Sequence, residues 1–199
     1  MKYIFQIVLL ISTLSFTSCE NKKDYKTTKS NNTLVSSFEK IESSYSNITF
    51  INKLTPNLRN KANLFDYDYF YNGSGVGIAD FNNDGLKDIV LSANQTENRL
   101  YINKGDLIFE DVTSESNINQ NKNWSSGVAI ADVNNDGWMD IYISQGGPFS
   151  SSERKNLLFI NQKDLTFKEL ATEYGLDDKG ISTQSAFFDF DKDGDLDCL

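Results

Sequence analysis

The chain has 199 residues, a formal net charge of −9 and no histidine. The missing histidine excludes imidazole acid–base catalysis, Ser–His and Cys–His nucleophile pairs and His-ligated zinc. The charge is not spread: three nine-residue stretches hold eleven carboxylates and two lysines, so the remaining residues sum to zero. With no basic stripe and the wrong sign of charge, nucleic acid is not an expected partner. Fourteen Phe and nine Tyr in a 39% hydrophobic chain favour strands over helices.

Residues 1–18 read as a signal peptide. Lys2 gives a positive start, and residues 4–16 form an apolar run too short to span a bilayer. Cys19 stands where that run ends, and the segment resembles a bacterial lipoprotein signal. The expectation is a lipid on Cys19, anchorage to a membrane and a place in the bacterial cell envelope, at the outer membrane or the cell surface. Cys198 would then be the one thiol left, with no disulfide framework. Residues 19–44 are rich in Lys, Asn, Ser and Thr and read as a flexible tether.

Residues 45–199 are organised by a repeat. GVGIADFNNDGLKDIVLSAN from Gly75 aligns with GVAIADVNNDGWMDIYISQG from Gly127, and AFFDFDKDGDLDCL from Ala186 begins a third copy. The first unit contains four strand-like pieces, VGIAD, DIVLSAN, NRLYIN and LIFEDVT; the second has VAIAD, DIYISQ, NLLFIN and LTFKELA. Lys104-Gly105-Asp106 marks a hairpin, and the Gly/Pro/Ser-rich GGPFSSSERKN a surface loop. Four-stranded units at this period predict an all-β propeller, with about two complete blades and part of a third. The third copy is expected to form a loose hairpin on the stack of two blades, as in the N-terminal piece of a longer protein. Upstream, NITFINKL around Phe50 is expected to end a similar unit, its Phe-Ile-Asn echoing that near Phe159. The tyrosine-rich FDYDYFYNGSG from Phe65 reads as a strand packed between blades, or as a ligand platform.

The acidic stretches are DFNNDGLKD from Asp80, DVNNDGWMD from Asp132 and DFDKDGDLD from Asp189. Asp stands at positions 1, 5 and 9, Asn or Asp at 3 and Gly at 6, while positions 2, 4 and 8 drift. A turn alone does not need four oxygen donors at alternate positions; a Ca²⁺ ion does. Position 12 of an EF-hand would be a bidentate Glu, but Leu91 and Ile143 stand there. The ninth Asp must close the site instead. The expected ligands are Asp80, Asn82, Asp84 and Asp88 with the Leu86 carbonyl; Asp132, Asn134, Asp136 and Asp140 with the Trp138 carbonyl; and Asp189, Asp191, Asp193 and Asp197 with the Asp195 carbonyl. Gly85, Gly137 and Gly194 let the backbone fold these groups around one point. No base or open metal position points to catalysis.

On these loops and their flanking strands, residues 45–199 resemble the FG-GAP/VCBS-repeat proteins, and more closely the large bacterial surface lipoproteins of that type. The resemblance implies an integrin-alpha-like propeller whose calcium loops join the first two strands of a blade. It also implies a binding module for an extracellular protein or glycan, the alternative being an accessory region of a polysaccharide-acting enzyme.

Overall fold

The structure is a computed structural model that describes residues 38–118 and 124–199. The signal peptide, Cys19 and the tether up to residue 37 lie outside the described residues. The chain divides into two units, Met1–Glu39, of which only the last two residues are described, and Lys40–Leu199.

The second unit is built from strands, with two helical turns (α1, Ser43–Ser46; α2, Thr113–Ser116) among its described residues. The first sheet is a four-stranded antiparallel meander, β1 (Val76–Ala79), β2 (Asp88–Leu91), β3 (Arg99–Asn103) and β4 (Phe109–Asp111), paired in chain order. The second repeats it with β5 (Ser125–Ala131), β6 (Asp140–Gln145), β7 (Leu157–Asn161) and β8 (Phe167–Glu169). A two-stranded hairpin follows, β9 (Phe187–Phe188) with β10 (Asp197–Cys198). This is the all-β, four-stranded blade architecture that the repeat predicts.

Alternation along the strands sends every second side chain into the space between the sheets. Ala79, Val90, Leu100 and Ile102 of the first sheet meet Val128, Ile141, Ile143, Leu157 and Phe159 of the second in one buried core. The opposite face of the second sheet carries Tyr142, Leu158 and Ile160, against which Phe187 and Cys198 of the hairpin pack. Cys198 therefore fills an apolar strand position, and burial pushes its thiol pKa up.

Gly75 and Gly127 bring successive sheets into backbone contact. A Cβ on Gly75 would lie 2.6 Å from the Val128 nitrogen, and one on Gly127 would lie 2.5 Å from the Thr183 carbonyl oxygen. The same repeat position thus touches the next unit each time.

Two expectations are corrected. Residues 47–56 contain no strand, so NITFINKL does not end a blade. Asn52 instead exchanges side-chain bonds with Asn94, its amide donating at 2.7 Å and its Oδ1 accepting the Asn94 N–H at 3.1 Å. The aromatic segment from Phe65 is likewise not a strand but a series of turns. Asn57, Asn60 and Asn63 each accept a backbone N–H two residues on, at 2.9, 3.2 and 2.9 Å. These side chains imitate the backbone bonds of a turn and compete with a sheet ladder.

Candidate metal centre in the acidic loops

Each acidic nonapeptide joins the first two strands of its unit in an identical register. Ala79 faces Asp88, Ala131 faces Asp140 and Phe188 faces Asp197, so the ninth Asp always opens the second strand. Two left-handed residues turn each loop. Position 6 is glycine, with φ of 89°, 85° and 99° at Gly85, Gly137 and Gly194. Position 4 is also left-handed, at Asn83, Asn135 and Lys192, with φ of 56°, 55° and 66°. In the sequence that position drifts between Asn and Lys. Asn tolerates this conformation better than most residues, and its presence in two copies was the available signal.

The carboxylates are held by backbone donors. The Asp80 oxygens accept the N–H groups of Asp84 (3.1 Å) and Gly85 (2.8 Å), as Asp132 accepts those of Asp136 (2.9 Å) and Gly137 (2.7 Å). Asp189 accepts from Lys192 and Gly194 at 2.6 and 3.3 Å. The position-7 N–H groups of Leu86, Trp138 and Asp195 donate to Asp84, Asp136 and Asp193 at 2.8, 3.0 and 3.1 Å. The Leu86 N–H and then the Asn82 amide hold the Asp84 carboxyl below its ordinary pKa. Burial pushes Asp136 up, but the Trp138 N–H, Lys163 and Asn134 outweigh it and the net shift is downward. Lys163 lies 3.3 Å from Asp136 and partly neutralises the second loop. The N–H of Asp195 holds Asp193 low, and the hydrogen bond to Asp193 and its charge push Asp195 up.

The ninth Asp does something the others do not. Asp88 and Asp140 are buried, 0% and 1% exposed. One oxygen of each accepts the N–H of position 2, from Phe81 at 2.8 Å and Val133 at 2.9 Å. The other accepts the N–H at the end of the third strand, from Asn103 and Asn161, both at 2.9 Å. Asp197 repeats the first bond, with Phe190 at 2.8 Å, but is exposed. Burial raises the pKa of Asp88, and takes Asp140 up to about 6 against the pull of its two N–H donors.

The asparagines ending the third strands complete the frame. Asn103 donates its amide to the Lys87 carbonyl at 3.0 Å. Asn161 donates to Met139 in its own loop (3.2 Å) and also to Phe81 in the neighbouring loop (2.9 Å). The Asn83 amide reaches the Gly137 carbonyl at 3.2 Å. First and second loops are therefore joined directly. These asparagines were visible in the sequence as the ends of NRLYIN and NLLFIN, but their role was not.

The donor set is oxygen only, which suits a hard divalent cation. In the third loop, oxygens of Asp189, Asp191 and Asp197 lie within 4.8 Å of one another. Two oxygens on opposite sides of a Ca²⁺ ion are at most about 5 Å apart, so this trio fits around one ion. Asp193 and Asp195 stand outside it. The first two loops bring no such carboxylate trio together, and both have Asn at position 3. There the Asn82 and Asn134 amides donate to Asp84 and Asp136, at 2.9 and 3.1 Å.

Four-stranded sheets of this topology, with an acidic loop joining the first two strands in one register, are propeller blades. Residues 80–143 match the family model described as an FG-GAP-like repeat. Residues 80–143 therefore carry the FG-GAP-like repeat. It is also similar to cartilage acidic protein 1 of Xenopus tropicalis, 30% identical over 139 residues, which is 70% of this chain. The aligned stretch spans only 21% of that relative.

Proposed function

We propose that the chain is a calcium-stabilised binding module of β-propeller blades, held on the bacterial cell envelope through a lipid on Cys19, where it takes an extracellular protein or glycan ligand. The observation that carries the calcium reading is the oxygen trio of Asp189, Asp191 and Asp197 on a loop whose scaffold recurs in the other two repeats. The proposed ligands are those expected from the sequence, Asp80, Asn82, Asp84 and Asp88 and their counterparts from Asp132 and Asp189; among the described residues the oxygens of Asp189, Asp191 and Asp197 are the ones already drawn together, and the ion would gather the rest. The ion would supply the positive charge that clustered carboxylates lack, and would tie the loop ends together. The membrane-anchored reading is supported by the position of Cys19 at the end of the apolar run.

Calorimetric titration and melting with and without EDTA test the calcium reading. At a hundredfold excess over the dissociation constant, each ion adds about 2.7 kcal/mol. Chelation should then lower the melting temperature by roughly 5–10 °C per occupied loop. No heat of binding at millimolar Ca²⁺, with identical melts, refutes the reading. For the anchor, Cys19→Ala should move the protein from the detergent phase to the aqueous phase, because firm anchoring needs acyl chains on that residue. A variant that partitions like the wild type removes the lipid from the proposal.

A further inference from the structure

The aromatic turns and the start of β5 enclose a cavity of about 210 Å³, which no residue of the acidic loops lines. Its floor is Trp124, 1% exposed. Tyr67 stands edge-on to that indole, with centroids 5.5 Å apart and planes at 87°, and Tyr69 stands edge-on to Tyr67 at 5.8 Å and 68°. The rings are held in place by packing. Trp124 is backed by Phe70 and Phe149, with centroids at 5.4 and 6.4 Å. A Cβ on Gly147 would lie 2.5 Å from the Trp124 Cβ, so only glycine lets that loop lie against the indole. The Gly147 N–H in turn donates to the Tyr67 hydroxyl at 3.3 Å.

The rim offers polar groups that no other described residue engages. The Tyr69 hydroxyl, the Asn72 side-chain amide and the Thr183 hydroxyl line the cavity, are exposed, and make no side-chain hydrogen bond among the described residues. No charged side chain among the described residues lines it. An aromatic cage for an ammonium group gains from a carboxylate beside the rings, and none of the lining residues supplies one. Ring faces carry partial negative charge and favour the weakly positive C–H faces of a saturated ring, while amide and hydroxyl groups match its hydroxyls.

We propose that this pocket is a carbohydrate site, taking a neutral sugar residue against Tyr67 and Tyr69 with its hydroxyls bonded to Asn72 and Thr183. It rests on the binding-module reading and names the ligand class. The test uses the calcium-loaded protein with neutral mono- and oligosaccharides of glucose, galactose, mannose and N-acetylglucosamine, and choline as a cationic probe. Saturation-transfer NMR and titration should find a neutral saccharide that binds. Tyr69→Ala and Asn72→Ala should each weaken it by roughly three- to tenfold. Tyr69 is 56% exposed, so its removal should leave the melting temperature in place. Absence of any saccharide binder, a saccharide indifferent to both variants, or preferential binding of choline overturns the assignment. Melting with and without EDTA on the same samples keeps the two readings apart: calcium dependence that survives a failed sugar titration leaves the module and removes only this pocket.

Discussion

Asp88→Ala is expected to lower the melting temperature by on the order of 10 °C in EDTA, whereas Asp80→Ala should do so only when calcium is present. Both residues are candidate ligands, so both variants remove an ion. They differ in what else they release. Asp88 is buried and accepts two buried N–H groups, from Phe81 at 2.8 Å and Asn103 at 2.9 Å. Alanine leaves both donors without a partner, at about 1–3 kcal/mol each. Midway in that range, about 4 kcal/mol corresponds to the shift given. Asp80 also accepts two N–H groups, but on the exposed side of the loop, where water replaces the lost acceptor. Asp88→Asn should fall between, because one oxygen still accepts while the amide nitrogen faces a donor. The same ordering is expected of Asp140→Ala against Asp132→Ala. Equal melting of Asp88→Ala, Asp80→Ala and wild type in EDTA would show that the ninth Asp is no clamp.

The clamp marks where sequence reading stopped in these loops. Spacing and residue type were enough to place the loops between the first two strands and the glycines at the turn. In sequence, an Asp that binds an ion and an Asp that binds two amides look alike. What separates Asp88 and Asp140 from the other loop carboxylates is burial behind the third strand, and that follows from β3 and β7 folding back over them. Asp197 has the same place in its motif and, among the described residues, its carboxylate accepts only the Phe190 N–H.

The strands were legible for a different reason. Val90, Leu100 and Ile102 alternate with residues that point away from the core, and the repetition of this pattern in the second unit specifies one face and one register. Residues 47–72 offered no such check. Phe-Ile-Asn at 50–52 copies the end of a third strand, yet without a partner strand those three residues cannot form a ladder. Asn52 turns to Asn94 instead. In the aromatic segment the alternation of rings suggested a strand, but the preceding asparagines at three-residue spacing are the stronger local signal, since each closes a turn on its own. The alternative reading of those rings, a ligand platform, is the one that the proposed sugar site at Tyr67 and Tyr69 takes up.

Gly75→Ala should destabilise the protein by about 3 kcal/mol, although the change adds one methyl group at a position with no left-handed backbone to strain. The reason is what the methyl would meet. Its Cβ would lie 2.6 Å from the Val128 nitrogen and 2.8 Å from the Gly127 carbonyl carbon, closer than carbon can approach without a shift of backbone. A side chain in the way could swing aside, but these atoms belong to the first strand of the next sheet. Relief requires the two sheets to move apart, and that opens the core shared by Val90, Leu100, Ile141 and Phe159. Gly105→Ala is the control, because it has open space around the added carbon but a φ of 93°. It carries only the left-handed strain, about 1 kcal/mol. Chemical denaturation of both variants separates the two causes. Gly75→Ala should also speed amide exchange in β1 and β5, where Gly105→Ala leaves exchange unchanged. If Gly75→Ala melts with wild type while Gly105→Ala melts lower, the sheets are not in backbone contact at that position, and the glycine that opens the first repeat has no part in stacking one blade on the next.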